Sequence, residues 1–322
     1  MTHRGSNESK LTRLAPAKLN LALSVGPPRA DGMHPICSWM MTVTLFDELL
    51  LTRLEQDRFS RYAILWHSEA KRTSDIDWSI TSDLAVRAHL ALEHRVGRRL
   101  PVQLKLEKRI PVGGGLGGGS SNAAAMLLGL NELFNLELEL DDLAAVGATL
   151  GSDIPFLIYG GSAIVSGFGE RIERHPSATQ LHAVIAFPDA QCPTGRVYRV
   201  FDEMASLGSP NLREDAVLNL AASCRNGGGP RPDALFNDLA RAAIRTAPEL
   251  DDAIARISAL AERPAHVTGS GASLFVVCDD ALHAEALASA IERKLNIPAV
   301  AVETHSPGKE DAMKTSTATN PD

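Results

Sequence analysis

Residues 111–122 read Pro111-Val112-Gly113-Gly114-Gly115-Leu116-Gly117-Gly118-Gly119-Ser120-Ser121-Asn122, and six of the seven positions from Gly113 to Gly119 are glycine. An alternating segment, Val102 to Lys108, precedes them, and a run of good helix formers, Ala123 to Leu128, comes directly after. Glycine lets the backbone approach a ligand closely and take positive φ. A helix N-terminus behind the glycines presents unpaired N–H groups and the positive end of its dipole. The combination predicts an anion cradle, and phosphate is the anion that fits it best.

Three other readings of the glycines fail on context. Gly113-x-Gly115-x-x-Gly118 matches a dinucleotide fingerprint in letters. A dinucleotide-binding first strand is apolar throughout because both faces are buried, whereas Val102-Gln103-Leu104-Lys105-Leu106-Glu107-Lys108 alternates and Pro111 interrupts the passage from strand to loop. No Gly-Lys-Ser/Thr closes the run, which removes the P-loop, and no G-x-S-x-G elbow occurs. A flexible linker seldom ends in Ser-Ser-Asn directly against a helix.

Outward from the loop, Leu19, Leu21, Leu23 and Val25 alternate with Lys18, Asn20, Ala22 and Ser24. That period predicts a strand with one buried face, and places Lys18 and Asn20 together on the other. A turn at Gly26–Gly32 and Met33-His34-Pro35 lead to an apolar strand around Met40–Leu51. Ser82 or Asp83 caps a helix closed by Gly97; Val102–Lys108 reads as a half-solvated, antiparallel strand; a helix starts near Ser120. Asp141 caps another helix ending at Gly151, and Gly160–Val165 gives a turn and a strand. Beyond residue 170, Leu181–Phe187, Ala265–Gly269, Ala272–Cys278 and Ala299–Thr304 read as strands. Thr194–Phe201, Asn237–Thr246, Pro248–Leu260 and Ala281–Leu295 read as helices, and Cys224–Pro232 as a flexible loop. The division is a disordered tail at 1–11, one domain at 12–170, a second at 171–305, and a disordered tail at 306–322.

The chain has 322 residues, 44% hydrophobic and 22% charged, with a net charge of −7. That acidic balance argues against nonspecific nucleic-acid binding, so positive charge for a polyanion has to be local, as at Lys105, Lys108 and Arg109. Cys37, Cys192, Cys224 and Cys278 have no paired spacing. With a polar N-terminus and no membrane-length apolar run, this predicts a soluble, cytoplasmic protein.

The motif Pro-x-Gly-Gly-Gly-Leu-Gly-Gly-Gly-Ser-Ser-Asn-Ala-Ala resembles the nucleotide-binding motif of the GHMP small-molecule kinases. Further segments resemble the branch of that family that acts on 4-diphosphocytidyl-2-C-methyl-D-erythritol. They are Ala15–Leu21, Arg29–His34, Gly151–Phe156, Phe236–Leu239 and Thr268–Ala272, in family order. The resemblance implies an α+β protein of two domains, an N-terminal α/β nucleotide-binding domain and a C-terminal ferredoxin-like one, with the active site between them. It implies ATP and Mg²⁺, a small-molecule acceptor phosphorylated on its 2-hydroxyl, and a monomer or homodimer without nucleic-acid or membrane partners.

By the same resemblance Asp153 matches the catalytic base and Lys18 the catalytic lysine, and residues Pro111 to Ser121 hold the nucleotide. Asn20 and His34 match contacts to the cytosine end of the substrate, Tyr198 an aromatic that stacks there, and Gly269-Ser270 a second glycine loop over the substrate phosphates. Read without the family, Asp153 is also a good helix N-cap, Ser120 and Ser121 are helix caps, and Lys18 is a lysine on a solvated strand face. Two positions depart from the family: Met33 stands where a tyrosine precedes the histidine, and Asp83 where an asparagine faces the nucleotide. Other acceptors (homoserine, mevalonate, a sugar) and a non-catalytic nucleotide sensor are the alternatives on the same fold.

Overall fold

The computed structural model describes residues 9–175, 180–205, 211–224 and 229–305. Residues 1–8 of the expected tail at 1–11, the expected tail at 306–322, and residues 225–228 of the expected loop lie outside them. The first sheet contains β1 (Lys10–Val25), β2 (Ile36–Arg53), β3 (Arg61–Trp66), β4 (Val102–Lys108), β5 (Ser162–Gly167), β6 (Arg171–Arg174) and the short β8 (Phe236–Asn237). Four helices pack on it: α1 (Leu84–Val96), α2 (Gly118–Leu133), α3 (Leu140–Ala148) and α4 (Ile154–Tyr159). The second sheet contains β7 (His182–Ala186), β9 (His266–Val267), β10 (Leu274–Cys278) and β11 (Ala299–Glu303). Its helices are α5 (Thr194–Ala205), α6 (Glu214–Ser223), α7 (Ala240–Thr246), α8 (Glu249–Ala261) and α9 (Ala281–Leu295).

Spatial order in the second sheet is β11-β7-β10-β9, the ferredoxin-like arrangement expected for the C-terminal domain. The two sheets bury a common apolar layer, in which Leu19, Leu21, Trp39 and Met41 meet Ile185, Phe187 and Phe275. Helices close the outer faces, with Leu127 and Leu130 on one side and Ile257 and Ile291 on the other.

Burial on both sides changes the reading of β1. Lys18 is 4% exposed and Asn20 2%, so the polar face of the alternation looks into the protein instead of into solvent. The strand also starts at Lys10, inside the expected tail. β4 is antiparallel to β2 as expected but parallel to β3 on its other edge. β6 pairs with β5, so a hairpin of the first sheet runs through the expected boundary at 170/171. β8 then returns to the first sheet alongside β1, with Leu23 opposite Asn237.

Two expected helix caps are not caps. α2 begins at Gly118 behind Gly117, which is left-handed at φ 71, so Ser120 and Ser121 lie inside the first turn. Asp141 likewise lies in the first turn of α3, whose N-cap is Glu139, and its carboxylate accepts the Tyr159 hydroxyl at 2.5 Å. Asp83 does cap α1, accepting from Ala85 N at 2.9 Å, and Gly97 closes that helix at φ 67.

Candidate active site

A cavity of about 860 Å³ opens between the two domains. Lys18, Asn20, His34, Asp153, Tyr198, Ser270 and the loop from Pro111 to Ser120 all line it. Residues far apart in sequence thus converge on one space. Two expected site residues stand just outside the lining. Ser121 is buried in the first turn of α2, its hydroxyl without a partner among the described residues. Gly269 packs behind Lys18, and a Cβ there would lie 3.0 Å from the lysine Nζ.

The glycine loop is held by its carbonyls. Leu116 O accepts from Lys18 N at 2.9 Å, and Gly114 O accepts from Ser273 N at 3.1 Å. The first bond ties the loop to β1 and the second to the C-terminal domain. The amides at the start of α2 have no intrahelical acceptor by position, and Gly118, Gly119 and Ser120 line the cavity at the positive end of the dipole.

Lys18 donates to Asn20 Oδ1 at 2.5 Å and stands 4.0 Å from Asp153 Oδ2. Burial lowers its pKa from that of an ordinary lysine, and the nearby Asp153 carboxylate offsets this only in part. Asn20 is fixed in turn: its Nδ2 donates to Ser38 Oγ at 2.8 Å and its backbone N–H to Thr268 Oγ1 at 3.1 Å. Asp153 occupies the N-cap position of α4, but its carboxylate caps nothing. The capping reading of this residue is therefore removed, and the carboxylate is left for the cavity.

At another part of the cavity, His34 Nδ1 lies 2.9 Å from Gly26 O, a contact satisfied by the tautomer protonated at Nδ1. Its ring centroid is 5.0 Å from that of Tyr198, at 44°. Burial, with a smaller contribution from Asp153, pushes the Tyr198 phenol up to about 12, so it stays neutral at physiological pH. Met33 lines the same region and is 48% exposed.

Comparison with known proteins fits this geometry. The family pattern described as "GHMP kinases N terminal domain" matches residues 83–161, and "GHMP kinases C terminal" matches 218–297. The chain is similar to a 4-diphosphocytidyl-2-C-methyl-D-erythritol kinase from Pseudarthrobacter chlorophenolicus, 33% identical over 305 residues, covering 91% of this chain and 92% of the relative. The chain belongs to the GHMP kinase family. A second relative of that description, from Symbiobacterium thermophilum, is 36% identical over 82% of this chain and 89% of its own. A solved 4-(cytidine 5'-diphospho)-2C-methyl-D-erythritol kinase superposes with a TM-score of 0.73 at 32% identity, over 92% of this chain and all (100%) of that one. Homoserine kinase from Cytophaga hutchinsonii, at 18% identity and a TM-score of 0.67 over 95% and 97%, shares the fold. As a kinase, the protein uses ATP as donor.

Several residues that build this GHMP kinase site carry little or no signal in the sequence. Asp47, fully buried, accepts from Lys108 Nζ at 2.5 Å, Arg109 N at 2.6 Å, Ile110 N at 2.8 Å and Asn122 Nδ2 at 2.9 Å. One carboxylate thereby joins β2, the exit of β4 and the start of α2. It also breaks up the expected basic cluster, since Lys108 is consumed here and Lys105 pairs with Glu107 at 3.0 Å. Asn237 donates to Val267 O and Gly269 O, both at 2.8 Å, and so holds the second glycine loop. The only signal for Asp47 is the acid pair Asp47-Glu48 inside the otherwise apolar run Leu45–Leu51.

Proposed function

We propose that the protein transfers the γ-phosphoryl group of ATP to the 2-hydroxyl of 4-diphosphocytidyl-2-C-methyl-D-erythritol. The observation that carries this reading is one cavity lined by the amide-rich loop, the Lys18–Asp153 pair and the His34–Tyr198 pair. The chemistry needs an anion cradle for the donor, a base at the hydroxyl and a polar aromatic surface for the acceptor's base. Asp153 takes the proton of the attacking hydroxyl. The new O–P bond forms as the bond from the γ-phosphorus to the bridging oxygen breaks, and ADP leaves with that electron pair. Base catalysis of this kind contributes about 10²–10⁴-fold. Lys18, a cation in a dry setting, stabilises charge on the migrating group and holds the hydroxyl beside Asp153.

The described residues contain no cluster of three or more carboxylates, histidines or cysteines able to hold a metal ion by themselves. Mg²⁺ keeps several waters and is bound through substrate phosphates and one or two protein groups. Ser120 is the cavity residue that would hold it, with Asp153 kept free as the base, and the ion would supply charge neutralisation on the phosphates. The described residues contain no helix long and apolar enough to cross a membrane, and we place the reaction in the cytoplasm, where ATP is supplied.

Incubation with ATP, Mg²⁺ and the cytidyl acceptor is expected to yield the 2-phosphate. Asp153→Asn should lose about 10²–10⁴-fold in kcat with an unchanged unfolding curve. Full turnover in that variant sinks the mechanism. Met33, a thioether where the family has an aromatic ring, is the one observation favouring a different acceptor. Equal rates on homoserine, mevalonate or a sugar would support that reading, and ATP binding with no turnover on any acceptor would support a sensor.

A further inference from the structure

The segment from His67 to Ser79, between β3 and α1, has neither helix nor strand, yet it is fastened along its length. His67 N donates to Lys108 O at 2.9 Å, and Trp66 Nε1 to Ser74 O at 2.6 Å. Lys71 pairs with Glu292 of α9 at 2.7 Å. Arg72 donates to Phe187 O at 3.2 Å, to Pro188 O, and to Asp189 Oδ1 at 2.7 Å. Phe187 to Asp189 come directly after β7, so this segment of the first domain is clasped onto the second.

At its far end Trp78, half-buried, lines the cavity, and its Nε1 donates to Asp83 Oδ2 at 3.2 Å. The other oxygen of the same carboxylate caps α1 through Ala85 N. This accounts for aspartate where the family has asparagine. With asparagine in the same place and its oxygen on Ala85 N, the amide NH2 would face the indole N–H, donor against donor, whereas a carboxylate accepts from both. Leu84, which follows the Asp83 that Trp78 bonds and lines the same cavity, adjoins the helix end of the glycine loop: a Cβ at Gly119 would lie 3.4 Å from Leu84 Cδ1. The other end of the loop, Gly115, lies against Thr268 and Gly271. The His34–Tyr198 pair supplies an aromatic surface for the acceptor's base; Trp78 supplies one at the donor end.

We propose that Trp78 is the platform on which the purine of the bound nucleotide stacks, and that Arg72 is a positioning residue that holds this platform by tethering its segment to the second domain. The inference rests on the phosphate-donor reading of the glycine loop and is independent of which acceptor is used. Base–aromatic stacking is lost on alanine substitution at a cost of about 5- to 150-fold in affinity.

ADP binding measured by calorimetry, together with inhibition by inorganic tripolyphosphate, tests the proposal in wild type, Trp78→Ala, Trp78→Phe and Arg72→Ala. Trp78→Ala should weaken ADP by about tenfold or more, Trp78→Phe much less, and the KM of the acceptor should not move. Tripolyphosphate, which carries no base, should inhibit every variant alike. Arg72→Ala should weaken ADP several-fold and leave tripolyphosphate unchanged, a split that general damage to the fold would not produce. The chain has three tryptophans, so an ADP-induced change in emission that disappears in Trp78→Phe assigns it to this residue. Wild-type ADP affinity in Trp78→Ala, or parallel losses of ADP and tripolyphosphate, overturns the proposal. A wild type that binds ADP but phosphorylates no cytidyl acceptor overturns the functional reading alone; one that binds no ADP overturns both.

Discussion

The molecule has two glycine loops that touch, and they use glycine differently. Gly113–Gly119 leads into α2, so the loop ends on a helix dipole and lines the cavity. Gly269-Ser270-Gly271 joins β9 to β10 and has no helix behind it. What it offers is thinness. A Cβ at Gly269 would lie 2.8 Å from Gly115 O, and one at Gly115 would lie 2.2 Å from Thr268 O. Under the proposed function a ligand is one reason for the glycines of the first loop, and both loops are glycine-rich so that two backbones can meet. The candidate active site lies where the two domains come close enough for Lys18 to approach both loops.

Comparing two positions of the first loop separates those uses. Gly115→Ala should have the largest effect. Its φ of +74 gives a left-handed strain of about 1–2 kcal/mol, and the collision with Thr268 O adds about 1–3 kcal/mol. Denaturant unfolding should therefore record a loss of about 2–5 kcal/mol, with activity falling as the loops separate. Gly113→Ala has nearly the same backbone, φ +71, but no heavy atom within 4 Å of the added Cβ. Only the strain remains, about 1–2 kcal/mol. Equal losses at the two positions would remove the backbone-contact account of the second loop.

The smallest expected change in stability has the opposite sign. Lys18 sits at the joint of the two loops, and burial lowers its pKa. The protonated amine is therefore less favourable in the folded protein than in water, and Lys18→Met should melt no lower than wild type at pH 7 while losing turnover. Between the lowered folded value and the ordinary lysine value of 10.5 the unfolded chain binds the proton that the folded protein has released, so wild-type stability rises with pH there. The advantage of Lys18→Met should shrink across that window. A variant that melts well below wild type, with a gap that is constant in pH, would mean that Lys18 stabilises the fold.

Much of the fold is legible in the sequence because it is periodic or capped. Asp83 and Gly97 bound α1, the alternation from Val102 to Lys108 marks β4, and the spacing of Lys18 and Asn20 puts them on a shared face. β3, β6 and α6 have no such signal. β6 is four residues of Arg171-Ile172-Glu173-Arg174, mostly exposed, held by pairing that no local pattern encodes. Ser120 and Ser121 read as caps because they are good ones, but a left-handed glycine ends the loop earlier. For the site, the resemblance carries Lys18, Asp153 and Tyr198, and the cavity brings them together. Asp47 escapes because its partners lie 61 to 75 residues away and two of them are backbone groups, pairs that become visible only after folding. Asn237 shows only as part of the segment Phe236–Leu239, and Trp78, bonded five residues on to Asp83, belongs to no periodic pattern.

The return of β8 to the first sheet has a consequence for how the chain is made. Ser24 and the backbone N–H of Val25 find their acceptor in Asp238, 214 residues downstream of Ser24. At ordinary rates of synthesis of about 5–20 residues per second, that acceptor leaves the ribosome roughly 10–40 s after the donors do. During that interval the edge of β1 stays open to water or to other chains. The nascent first sheet thus lacks its last strand and its pairing is unfinished, and an interval of that length is one in which a chaperone or a wrong partner can compete for the same edge.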